Sequence, residues 1–220
     1  MKNGKYYIYK LDLKYINTLM IILIFIFLVF TSLIFDISDF ISFILHDNKW
    51  FIFYIIYMLL HECIHGLSYY FNGAKFNRIT FGIMLEKGIL YCLCKQNISK
   101  KNILISSVAP LFVIGIFTYI IGIIINNYTL VLLSILNIGG SAGDIVTFNF
   151  LRKIKNFEFS EMDDATGFAI YSTSDISKIK HSGIKYVTTN DSIVRNDLKK
   201  FSVSIFSLII IFILALVSFI

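Results

Sequence analysis

Trp50 to Phe71, WFIFYIIYMLLHECIHGLSYYF, is the stretch whose reading decides the fold. Its length of about 22 residues, at about 1.5 Å each, is enough for a helix to cross a hydrocarbon core of about 30 Å. Yet it carries His61, Glu62 and His65. Residues four apart share one face of a helix, so His61 and His65 can hold one metal ion with Glu62 beside it. Ionisable groups are costly in an apolar span unless a partner, water or a metal compensates them, which makes this segment the first candidate for function.

The rest of the chain supports a membrane setting. Of its 220 residues, 57% are hydrophobic and 15% charged, with one proline, well outside the balance of ordinary soluble domains. Asn17 to Phe35, Ile103 to Ile125 and Phe201 to Ile220 are uncharged apolar runs, and Tyr128 to Phe150 is apolar apart from a few polar positions. The expectation is an all-α membrane protein of about five transmembrane helices, near 17–35, 50–71, 103–125, 128–150 and 201–220. Residues 1–150 would form the core, 151–200 a small cytoplasmic segment, and 201–220 a C-terminal anchor. The first span is too long, and too poor in a following small-residue site, for a cleaved signal peptide.

Charge orients these spans. Every Lys and Arg except Lys49 falls before the first span, between the second and third, or in 151–200. The positive-inside rule then sets the N-terminus in the cytoplasm and the C-terminus outside, in a multi-pass protein of the cell membrane. The net charge of +6 is accounted for by that bias and by attraction to anionic lipid, with no support for a nucleic-acid partner. Cys63, Cys92 and Cys94 lie within or on the cytoplasmic side and read as reduced thiols. His46 and His181 read as isolated surface residues, and the acidic cluster Glu158, Glu161, Asp163 and Asp164 as a solvated face.

Two further features surround the motif. Phe76 to Cys94 has two β-rich runs around Glu86-Lys87-Gly88 and fits a hairpin, read with equal weight as an amphipathic connector at the membrane surface or as an edge strand that receives an extended substrate. Pro110 predicts a bend in the third span. In the fourth span, Asn137 leads through Gly139, Gly140 and Gly143 to Asp144, where small residues allow close helix approach around a carboxylate.

A hydrolytic zinc site keeps three protein ligands and one open position. His61 and His65 supply two, and outside the motif itself Asp144 is the one charged residue within a predicted span. Counted inward from the outer ends of spans two and four, the histidines lie roughly 16 to 22 Å deep and Asp144 roughly 24 Å. One zinc ion, with Glu62 as the proton acceptor, predicts peptide-bond hydrolysis of a membrane protein or peptide substrate in or near the bilayer. Asn137 is placed either on an extended substrate backbone or on a neighbouring helix, the helix being favoured. The competing readings are a proton- or metal-ion-translocating protein and a non-catalytic zinc-binding membrane factor.

His61-Glu62-Cys63-Ile64-His65-Gly66, Ala109-Pro110 and Gly143-Asp144-Ile145 together resemble a zincin peptidase family of membrane domains, itself similar to site-2-type intramembrane zinc metalloproteases. The resemblance runs from the second span to about Tyr171. It implies His61, His65 and Asp144 as zinc ligands, Glu62 as catalytic base, and a strand or hairpin near the site. The site-2 proteases carry a proline-containing Asn segment leading to Asp-Gly, whereas here Asn137 reaches Asp144 through glycines.

Overall fold

The computed structural model describes residues 4–47, 49–84, 89–162 and 167–190. The predicted span at 201–220, residues 191–200, Asp163 and Asp164, and Glu86-Lys87-Gly88 lie outside the described residues. The chain begins with a strand, β1 (Lys5–Leu11), and enters the helix α1 (Leu13–Ser32), where the Asp12 carboxylate caps the first turn by accepting from the Lys14 N–H. Next come a short helix α2 (Ile37–His46), the motif helix α3 (Lys49–Phe71) and the strands β2 (Ile79–Met84) and β3 (Ile89–Cys94). A two-residue strand β4 (Ile98–Ser99) leads into α4 (Lys100–Pro110), a π-helical stretch (Leu111–Ile116) and α5 (Phe117–Ile124). After a turn at Asn126, whose φ of 52° suits asparagine, come α6 (Tyr128–Gly140) and α7 (Ala142–Leu151). The strands β5 (Glu158–Glu161), β6 (Gly167–Ser172) and β7 (Ile184–Asn190) complete the described chain.

Three helical segments are long and apolar enough to cross a membrane: Leu13–Ser32, Lys49–Phe71 and the continuous Lys100–Ile124. The predicted fourth span is instead a pair, α6 and α7, bent by 43° at Ser141, which gives a fourth crossing if the two count as one span. The bend follows from composition, because Gly139, Gly140 and Gly143 flank the break and hold a helix weakly.

The all-helical expectation is corrected outside the spans. An antiparallel sheet of order β4-β5-β6-β1-β7 gathers segments from three parts of the chain, and β2 and β3 pair separately with Ile79 opposite Cys94. The first of these segments, KYYIYKL, had served only as a basic flank, although its Tyr and Ile residues give it strong strand propensity. Tyr9, fully buried, joins this sheet to the helices: its ring packs edge-on against Phe150 of α7 at 4.9 Å, and its hydroxyl donates to the Ile176 carbonyl at 2.7 Å. Lys100 closes the other side, its ammonium donating to the last carbonyls beyond α7, at Arg152 and Ile154. At the far end of the helices Phe35, Phe40, Tyr119 and Ile135 form a second core. Polar side chains within the helices satisfy one another there, Thr31 with Tyr119 at 3.0 Å and Thr118 with Ser134 at 2.7 Å.

Candidate metal centre

The centre is built where the sheet-side halves of α3, α4 and α7 meet. His61 and His65, one turn apart on α3, bring their Nε2 atoms to 3.2 Å. Asp144, in the first turn of α7, reaches them from the other side of the bend, with Oδ2 3.2 Å from His61 Nε2 and Oδ1 3.4 Å from His65 Nε2. The three donor atoms lie within 4.8 Å of one another. The fourth predicted span is broken just before Asp144, and the carboxylate reaches the two histidines from the second half of that break.

The tautomer each imidazole adopts when neutral follows from what its Nδ1 touches. His65 Nδ1 lies 2.8 Å from the Ser106 carbonyl, which can only accept, so Nδ1 carries the hydrogen. His61 Nδ1 lies 2.9 Å from Asn137 Oδ1, and the amide orientation is set at its other end, where Nδ2 donates to the Pro110 carbonyl at 3.3 Å. Asn137 Oδ1 therefore accepts, and His61 Nδ1 also carries its hydrogen. In its neutral form each ring then presents an unprotonated Nε2 beside the Asp144 carboxylate. Two imidazole lone pairs and a carboxylate converging on one point is the donor set of a zinc site with one position open, and acceptors on the outer nitrogens fix the rings as such sites require.

The Ser106 carbonyl is free to do this for a covalent reason. In a helix it would accept from the N–H four residues on, but that residue is Pro110, which has none. Sequence reasoning gave the proline a bend and passed over Ser106. The signal was present, since the residue four before a helical proline has a carbonyl without its usual donor. Asn137, assigned to a substrate or a helix, is occupied at both ends within the protein, by His61 and by α4.

Glu62 lines the same cleft as the three donors, and its carboxylate accepts from the Cys92 backbone N–H on β3. The cleft has a volume of about 200 Å³ and is walled by α3, by β3, by Gly143 and Thr147 of α7, and by Leu11 and Phe168 of the sheet. The hairpin thus stands directly at the centre. Among the other residues singled out in the sequence, Cys63, Cys92 and Cys94 are all unbridged thiols. His46 ends α2 with Nδ1 bonded to the Ser42 carbonyl at 2.8 Å, and His181 packs against Phe150; neither joins the centre.

Residues 54–157 match the model of the family described as "Putative zincin peptidase". The matched segment contains His61, Glu62, His65 and Asp144, together with Ser106, Pro110 and Asn137, and it points to a metallopeptidase. No curated protein and no solved structure matches the chain.

Proposed function

We propose that this chain is a membrane-embedded zinc metalloendopeptidase of site-2-protease-like type, which hydrolyses peptide bonds of a membrane protein or peptide in or near the bilayer. The observation that carries the reading is the convergence of His61 Nε2, His65 Nε2 and the Asp144 carboxylate within 4.8 Å in a cleft that Glu62 also lines. The bends and polar side chains that build this cleft lie within helices able to cross a membrane. Taken with the distribution of Lys and Arg, the sheet that walls one side of the cleft faces the cytoplasm.

His61, His65 and Asp144 would hold the metal. Zinc, when bound, supplies Lewis acidity that acidifies water and polarises a carbonyl. Glu62 accepts a proton from the attacking water and later gives it to the leaving amine, a role suited to a carboxylate held in place by the Cys92 N–H. Asn137 and the Ser106 carbonyl keep the two imidazoles in one tautomer and one orientation. Leu11 and Phe168 cover the cleft with apolar surface that limits water and suits an apolar substrate segment.

Purified protein in detergent, given a labelled single-span peptide, tests the reading. A Glu62→Gln variant is expected to keep its zinc and lose cleavage by roughly 10²- to 10⁴-fold. Full cleavage by that variant would remove Glu62 from the mechanism. Metal-dependent flux in proteoliposomes without peptidase activity would favour translocation. A function that survives Glu62→Gln but not Asp144→Ala would leave the zinc a tie between α3 and α7.

A further inference from the structure

At the sheet end of the helices, α1 and α7 line a groove of about 490 Å³ that shares no lining residue with the cleft of the metal centre and lies on a different face of α7. Leu19 of α1 and Ile145 of α7 form its apolar wall, and Tyr15 stands near its base. Its mouth carries Arg152 and Lys153, just beyond α7, and Lys180 and His181 from the turn before β7. The base is tightly packed: a Cβ on Gly183, which has φ +86°, would meet Tyr15 at 2.5 Å and Val146 at 3.1 Å. That turn is therefore held against both helices, and Lys180 and His181 are carried to the groove by it.

The charge here is uncompensated. Among the described residues no Asp or Glu lines the groove, and the ion pairs are made elsewhere, by His61, His65 and Lys185. The crowding is felt by His181, which is held below the ordinary histidine pKa first by burial and then by the charges of Lys153 and Arg152. Three permanent cations at the end of a membrane helix, above an apolar cleft between two helices, match a ligand with an anionic phosphate head and an acyl tail.

We propose that this groove binds one anionic phospholipid, its phosphate held by Arg152, Lys153 and Lys180 and its acyl chain lying against Leu19 and Ile145. Diffuse attraction between basic loops and an anionic surface acts on all exposed Lys and Arg alike, whereas this site acts on three. It depends on α1 and α7 lying in the membrane and not on the metal centre, so its failure would leave the peptidase reading untouched.

The experiment uses the full chain in detergent, titrated with phosphatidylglycerol, phosphatidylcholine or inorganic phosphate and followed by thermal unfolding and native mass spectrometry. Phosphatidylglycerol is expected to bind and stabilise, and the other two are not. Each basic residue near an anionic head contributes roughly fivefold in affinity, so Arg152→Gln/Lys153→Gln/Lys180→Gln should weaken phosphatidylglycerol binding by roughly 100-fold. Lys180→Gln alone, on an exposed turn, should weaken it by roughly fivefold and keeps the test open if the triple variant does not fold. Lys75→Gln/Arg78→Gln/Lys101→Gln, an equal charge change at exposed sites outside the groove, should bind as the parent does. Equal weakening in the two triple variants, or an unchanged response in Lys180→Gln, would overturn the site. Stabilisation by inorganic phosphate equal to that by phosphatidylglycerol would overturn the lipid assignment.

Discussion

The segment made by α4, the π-helical stretch and α5 and the segment made by α6 and α7 are both interrupted beside the motif helix, with different chemistry at each interruption. At Pro110 the side chain closes on its own backbone and removes a donor, and what the site receives is a main-chain carbonyl, that of Ser106, for His65. At Ser141 the backbone turns by 43° among glycines, and what the site receives is a side chain, Asp144, set in the first turn of a new helix. One residue links the two: Asn137 donates to the Pro110 carbonyl and accepts from His61. On the zinc reading proposed above, the first interruption orients a ligand and the second supplies one, so damage at the second should cost more.

Asp144→Ala is the largest expected effect. Loss of a ligand should exceed the 10- to 100-fold seen when an outer partner of a ligand is lost, so zinc affinity should fall by more than roughly 100-fold in a chelator competition. An Ala variant that bound zinc as tightly as the parent would make the α7 side of the comparison irrelevant to metal. Pro110→Ala comes next. It gives position 110 an N–H that competes for the Ser106 carbonyl, and zinc affinity should fall by roughly 10-fold. In the metal-free protein, at a pH high enough to keep His65 neutral beside Asp144, its ring nitrogens, read by ¹⁵N NMR, should move from one tautomer to a mixture. If affinity and tautomer both stay as they are, Pro110 only bends the helix.

Much of this arrangement can be read in the sequence, and the residues show why some cannot. His61 and His65 are legible because four-residue spacing on an apolar helix has few other meanings, and Asp144 because a lone carboxylate in an apolar stretch demands a partner. Ser106 is not, because its contribution is a backbone carbonyl and any residue there would offer one. The break at Ser141 was hidden by continuous hydropathy, which does not register that glycines hold a helix weakly. The sheet was missed because Lys5, Lys10 and Lys14 answered the question of topology and drew attention from the Tyr and Ile residues between them. Pairing of Tyr9 with Phe168 and Tyr186 joins residues more than 150 positions apart, which local pattern cannot supply.

The glycines at the second interruption divide into two kinds, and that division gives a smaller effect. A Cβ at Gly139 would lie 2.6 Å from Ile24 Cγ1 on α1, whereas one at Gly140 or Gly143 would meet nothing within 4 Å. Gly139→Ala should therefore destabilise by about 1 to 3 kcal/mol through overpacking of α1 on α6. Gly140→Ala should be neutral or stabilising by up to about 1 kcal/mol, from its gain in helix propensity. Thermal unfolding of the two variants side by side measures the difference. Equal destabilisation would mean that the bend itself, rather than the approach of α1, requires glycine.

The smallest effect lies away from both interruptions, at the strut between α1 and β7. Asp12 caps α1 and pairs with Lys185 Nζ at 2.7 Å. Its hydrogen bond to Lys185, outweighing partial burial, holds the carboxyl below the usual Asp range. A carboxyl lowered in the folded state adds stability above its unfolded pKa, near 3.9, and that stability is lost as pH falls through the folded value. Asp12→Asn should therefore lower the unfolding temperature slightly at pH 7, and the gap from the parent should close as the pH falls through the lowered carboxyl range. Lys185 is 71% exposed, so solvent screening keeps the gap small. Zinc affinity should not change in this variant, because neither Ser106, Asn137 nor Asp144 depends on that strut. A loss of zinc on weakening it would show that the sheet, and not only the two interrupted spans, holds the histidines in place.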